Sequence, residues 1–167
     1  MSKQDEAKEV TLSKYRFEQA ERCLRSAKLL LKDDDYRGAA NRSYYSIYNA
    51  IRSIFALDGV EFRRHSGNIS HFRKEYIQTG VFDKELSRIV GDAFDVRSDS
   101  DYDDNVIISK SDVEEQVQNA ETFIKIVKAY LDKRYKNNWL EIKWIKQRWS
   151  KIRKALRKAE LFLIVFL

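Results

Sequence analysis

The sequence predicts an all-α protein: an up-and-down bundle of four to five helices, followed by an extra basic amphipathic helix at the C-terminus. Three observations carry that expectation. The 167 residues contain no proline and only five glycines, which favours long helices joined by short turns. Apolar residues recur at three- and four-residue spacing in several long segments. No segment sustains the period-two alternation of a strand.

Residues 1–10 are polar and read as a flexible N-terminus. The first helix is expected from about Thr11 to Lys32, with Ala20, Cys23, Leu24, Ala27, Leu30 and Leu31 on one stripe. Asp33, Asp34 and Asp35 end it and can serve the N-terminus of the next helix. The second helix, from about Asp35 to Leu57, has an apolar stripe of Ala40, Ser43, Tyr44, Ile47, Ile51, Ile54 and Phe55. Its other face carries Asn41, Tyr45, Tyr48 and Arg52, as a central helix or a subunit contact would. Gly59 suits its C-terminal cap. A third helix spans roughly Ser66 to Gln78, with Ile69, Phe72 and Tyr76 inward, and a fourth runs from about Asp83 to Val96 or Arg97. An acidic loop from Ser98 to Lys110 follows. Ser111 and Glu114 have capping-box spacing and open a fifth helix, on which Val113, Val117, Ala120, Ile124, Val127 and Leu131 share a face.

At this length one domain with a sizeable core is expected. Nine Tyr, nine Phe and three Trp speak against disorder outside the ends. A single cysteine, Cys23, excludes an internal disulfide framework, and no apolar leader segment is visible; both suit a cytoplasmic protein. The net charge of +6 is unevenly spread. Residues 133–167 hold eleven Lys/Arg against two acidic groups, so the rest of the chain carries a small negative excess. The expected organisation is therefore residues 1–10, a bundle over 11–132, and a basic extension over 133–167. That extension has three readings: a helix whose lysines solvate it, a nucleic-acid contact, or a helix lying on an anionic membrane. The seven apolar residues at its end are too few to span a bilayer, which needs about 20.

The candidate site lies at the end of the fourth helix. Leu86, Ile89, Val90 and Ala93 share an inward face, and Arg97 continues it. A guanidinium there needs a partner, because an unpaired buried charge is costly. The nearest supply in sequence is Asp99, Asp101 and Tyr102, so the group is either a structural ion pair closing the helix or a functional site. Arg97 is suited to a phosphate or to a pentacovalent transition state, and Tyr102 could donate a proton. A histidine would serve better, but neither His65 nor His71 is close in sequence. The alternating Asp99, Asp101 and Asp103 fail as a calcium loop, since Asp104 stands where its glycine is needed and Lys110 where its glutamate is needed. No phosphate-binding loop, dinucleotide fingerprint or metal-ligand spacing is present, so no cofactor or metal is expected.

Five segments in order resemble the HEPN superfamily, and more narrowly its small stand-alone prokaryotic members. They are AANRSYYSIYNA from Ala39, LDGVEF from Leu57, HSGNISHF from His65, YIQTG from Tyr76 and RSDSDY from Arg97. The resemblance covers about residues 11–132. It implies a helical bundle that commonly forms a homodimer. It also implies a minimal nucleotidyltransferase as partner, the two acting as a toxin–antitoxin pair. Active members carry R-x4–6-H and cleave RNA without metal across the dimer, the histidine assisting attack by a ribose 2′-OH. Here Arg97 matches the arginine and Ser98 the polar residue that often follows it, but Tyr102 occupies the histidine position. In the form whose histidine is followed by a tyrosine that the partner modifies, that tyrosine position is Asp104. On this resemblance Arg97 would bind the scissile phosphate, Tyr102 would orient or donate, and Asp101 would hold Arg97. The alternative is a non-catalytic binding or regulatory subunit of the nucleotidyltransferase.

Overall fold

The computed structural model describes the backbone of residues 3–62, 64–102 and 109–165, and the side chains of residue 5 and of residues 7–62, 64–97, 109–137 and 148. It is all-helical: α1 (Lys3–Lys32), α2 (Tyr36–Leu57), α3 (His65–Phe72), a π-helical turn (Arg73–Ile77), α4 (Lys84–Tyr102) and α5 (Lys110–Val165). No strand occurs among the described residues. The chain divides into two compact units, Met1–Ala129 and Tyr130–Leu167.

Within the first unit the helices alternate in direction. The Ser13 hydroxyl donates to the Ser53 carbonyl and Asn49 reaches Cys23, so α1 and α2 run antiparallel. Phe94 and Arg97 meet Tyr44, bringing the C-terminal part of α4 to the N-terminal half of α2. Gln116 donates to the Ala40 carbonyl and to the Ser43 hydroxyl, and Lys28 pairs with Glu121, which places the start of α5 beside both α1 and α2. The predicted stripes form the core. Ala20, Leu24 and Ala27 of α1, Ile47, Ile51, Ile54 and Phe55 of α2, Leu86, Ile89, Val90 and Ala93 of α4, and Val113, Val117, Ala120 and Val127 of α5 are all buried. Phe72 and Phe123 pack against each other and close the end of the core near the π-helical turn.

Caps fix the joints. The Asp35 carboxylate accepts from the Gly38 N–H at 2.8 Å, as an N-cap should. A Cβ on residue 38 would lie 2.3 Å from that carboxylate, so glycine keeps the cap compact. Gly59 takes φ +66° just past α2, the left-handed conformation that ends a helix.

Four boundaries differ from the sequence expectation. Helix α1 starts at Lys3, not Thr11. The third helix widens: its regular part stops at Phe72 and continues as the π-helical turn. Helix α4 continues to Tyr102, so Ser98 to Tyr102 are helical where a loop was expected. The stretch from Asp92 to Ser109 contains no glycine or proline, and a run of carboxylates does not by itself interrupt the hydrogen-bond ladder. Finally, α5 begins at Lys110, and the Asp112 N–H donates to the Ser109 hydroxyl at 3.2 Å. Ser109 therefore caps the helix, and the Ser111–Glu114 capping box does not form.

Candidate functional site

The site is built where α2, α3 and α4 meet, around three tyrosines on α2. Tyr44, Tyr45 and Tyr48 come at helical spacing, so their rings cluster on one flank of that helix. Tyr44 is 2% exposed and Tyr48 is 7% exposed, while Tyr45 stands at the surface edge. Arg97 reaches across from α4 and lays its guanidinium over two of these rings, 5.3 Å from the centre of Tyr44 and 5.6 Å from that of Tyr45. Such cation–π placement favours the charged group while holding it partly out of water.

His65, the first residue of α3, completes the cluster. Its ring stacks on Tyr48 with centroids 4.1 Å apart and planes within 2° of parallel. Its Nδ1 lies 2.7 Å from the Tyr44 hydroxyl. Asn68, one turn on, donates to the Tyr48 hydroxyl at 3.2 Å and to the Arg64 carbonyl at 2.8 Å, tying α3 to α2. Two more arginines flank the rings: Arg42 lies 5.3 Å from the centre of Tyr45 and Arg52 5.7 Å from that of Tyr48. Arg16, almost fully buried, braces this edge from α1 by donating to the Arg52 carbonyl and pairing with Glu61 at 2.6 Å.

The electrostatics follow from burial and from the arginines. Burial pushes the Tyr44 phenol far above its ordinary pKa, although the charge of Arg97 pulls the other way. Tyr48 is raised as well, chiefly by burial. His65 is pushed below the usual histidine value, first by burial and then by the charges of Arg97 and Arg52. At neutral pH the cluster therefore holds neutral phenols, a neutral imidazole and a cationic rim. No group of three His, Cys, Asp or Glu that could hold a metal ion occurs among the described residues.

Of the predicted site residues, Arg97 stands on the inward face of α4 as expected, half-buried. Its described contacts are the rings of Tyr44 and Tyr45 on α2. Asp101 and Tyr102 follow it on the same helix, one turn further on, and their side chains lie outside the described residues. Asp103 and Asp104 lie outside them altogether. His65 is the residue that sequence spacing missed. It is remote from Arg97 along the chain, and only the packing of α3 on α2 brings it to the site. The pointer that was available was the Tyr-rich second face of α2, which needed polar partners for its hydroxyls. Cys23, expected in the core, is half-buried and receives a contact from Asn49 at 3.9 Å.

Residues 13–135 match the model of the HEPN domain. The chain belongs to the HEPN domain family. Its relatives share most of their length with it. A UPF0332 protein of Thermotoga maritima is 30% identical over 118 residues, 71% of this chain and 89% of the relative. A Methanocaldococcus jannaschii protein named putative toxin MJ0142 is 30% identical over 115 residues, 69% of this chain and 78% of the relative. The UPF0332 protein PH1297 of Pyrococcus horikoshii is 26% identical over 137 residues, 81% of this chain and 85% of the relative. The matched span contains all of α2, α3 and α4, and with them Tyr44, His65 and Arg97. This HEPN chain therefore carries its Arg97, Tyr44 and His65 constellation within the family region.

Proposed function

We propose that this HEPN protein is an RNA-directed, toxin-like protein that works as a homodimer and is held in check by a minimal nucleotidyltransferase partner in the cytoplasm. The observation that supports it is the mounting of Arg97: a half-buried guanidinium seated on the Tyr44 and Tyr45 rings, with Arg42 over Tyr45 and Arg52 over the neighbouring Tyr48. A row of guanidinium groups interleaved with aromatic faces suits a polynucleotide, whose phosphates take the arginines and whose bases stack. The family membership and the relatives named as toxins point the same way.

The reaction that suits this site is metal-independent transesterification. The ribose 2′-oxygen attacks phosphorus, the P–O5′ bond breaks, and the products are a 2′,3′-cyclic phosphate and a 5′-hydroxyl. Arg97 neutralises the charge that develops on the non-bridging oxygens. Asp101 holds Arg97, and Tyr102 gives a hydrogen bond or proton to the departing oxygen, while the proton lost by the 2′-OH passes to solvent water and from there restores the phenol. The second reading is a non-catalytic binding subunit of the nucleotidyltransferase, favoured by Tyr102 at the position where the family motif has histidine.

The test is cleavage of a labelled mixed RNA pool by purified protein in chelator, wild type beside Arg97→Ala and Tyr102→Phe, each checked for helicity. Cleavage by wild type that falls at least 100-fold in Arg97→Ala establishes the ribonuclease. A folded, dimeric wild type that leaves the pool intact moves the function to the binding subunit.

A further inference from the structure

We propose that His65 is a second contact to the RNA phosphate, acting as a neutral hydrogen-bond donor through Nε2. This rests on the reading that RNA docks at Arg97, and it concerns a histidine other than the one the family motif would supply.

The Arg97 guanidinium lies against Tyr44, 5.3 Å from its ring centre, so the phenolic oxygen turns its lone pairs toward that cation. The phenolic hydrogen is then free for the other neighbour of that oxygen, His65 Nδ1, 2.7 Å away. Nδ1 is thereby the accepting nitrogen, and the proton of a neutral ring sits on Nε2. Burial first, and then the charges of Arg97 of α4 and Arg52 of α2, disfavour the imidazolium. Among the described residues the rings around it are those of Tyr44, Tyr45 and Tyr48.

Geometry decides which edge can meet a ligand. Tyr44 is buried, so the Nδ1 edge points inward. The ring itself is only half-buried and is clamped flat on Tyr48, which leaves the Nε2 edge as the accessible one. Tyr48 is in turn held by Asn68, so the ring has little freedom to turn away. An Nε2–H donor fixed beside an arginine is what a non-bridging phosphate oxygen accepts. In this chain the motif position that normally offers an imidazole offers Tyr102 instead.

The experiment uses the full chain and a mixed-sequence 2′-O-methyl RNA, which binds but cannot be cleaved. Affinity is measured by fluorescence anisotropy at one salt concentration for wild type, Arg97→Ala, His65→Ala and His65→Gln. The His65 tautomer is read from long-range proton–nitrogen NMR spectra of the wild type. The expected result is roughly tenfold weaker binding by His65→Ala, as for a lost hydrogen bond to a charged group. His65→Gln, whose side-chain amide can reach the place of Nε2, regains most of that loss. The spectra show protonated Nε2 and bare Nδ1, and the Nε2 signal moves when RNA is added.

An Nδ1-protonated ring overturns the proposal, as does a His65→Gln variant as weak as His65→Ala, which would mean that a neutral donor at that place does not carry the binding. Unchanged binding by His65→Ala together with weakened binding by Arg97→Ala overturns the role of His65 and leaves the RNA site standing. Unchanged binding by Arg97→Ala sinks the RNA site itself. Should His65→Ala fail to fold, His65→Gln and the tautomer still decide.

Discussion

At the scale of single residues, Tyr44 is the hinge of the site. Its ring supports Arg97 and its hydroxyl bonds His65, all from a position that is 2% exposed. Removing that hydroxyl leaves the inward Nδ1 of His65 without its partner, which costs more than the bond itself is worth. Tyr44→Phe should therefore lower stability by about 1–3 kcal/mol, read from the urea midpoint at unchanged slope. His65 adds a pH signature. Its pKa in the folded state lies below the ordinary value, so between the two the unfolded chain binds more protons than the folded one. Stability is then full above pH ~6.5 and falls as pH drops toward the folded-state value. The His65→Gln variant should show a flatter loss of stability than wild type over that acid window. An identical pH dependence in the two proteins would mean that His65 does not titrate differently on folding. Arg97 was legible in the sequence because it extends the inward stripe of Leu86, Ile89, Val90 and Ala93. His65 was not, because 21 residues separate it from Tyr44 and nothing local to α3 announces where that helix docks.

At the scale of elements, apolar periodicity carried the fold, while the ends of helices depended on details it does not encode. The stripes predicted for α2, α4 and α5 are the buried faces, since burial of one helix flank follows from spacing alone, while on α1 Ala20, Leu24 and Ala27 are buried and Cys23, Leu30 and Leu31 only half so. The caps were legible only where one candidate was available. Asp35 was foreseen at the entry to α2 and does accept from Gly38. Before α5 two serines compete, and the one outside the expected box is used. This gives a discriminating pair of variants. Ser109→Ala should cost about 1 kcal/mol in thermal or urea unfolding, as the loss of an N-cap does, and Ser111→Ala only a few tenths. The reverse order would restore the capping box. The same reasoning puts Asp35→Ala at about 1 kcal/mol. The helical run from Ser98 to Tyr102 has a functional consequence. It sets Asp101 and Tyr102 at i+4 and i+5 from Arg97 on one helix, so their spacing is fixed by helical geometry.

At the scale of the whole molecule, charge is divided between two compact units, Met1–Ala129 and Tyr130–Leu167. The family match ends at residue 135, so nearly all of the second unit lies beyond it. No described helix is long and apolar enough to cross a membrane. The second unit instead concentrates positive charge, with eleven Lys/Arg and two acidic residues from position 133 onward. Phosphate neutralisation by such residues releases counterions, and the slope of log affinity against log salt counts the contacts made. Single-stranded RNA gives a slope of roughly 0.7 per phosphate neutralised. If the proposed RNA docking draws on the basic extension, a chain ending at Arg134 should bind 2′-O-methyl RNA with a slope smaller by about two or more, at the same helicity per residue of the bundle. If the two units contact RNA independently, the fold-loss caused by Arg97→Ala should be the same in the full and shortened chains, because independent contributions add. A slope that does not change on truncation would assign all phosphate contacts to the arginines of the first unit. The extension would then be a solvated helix, and the specificity of binding would rest on Arg42, Arg52 and Arg97 alone.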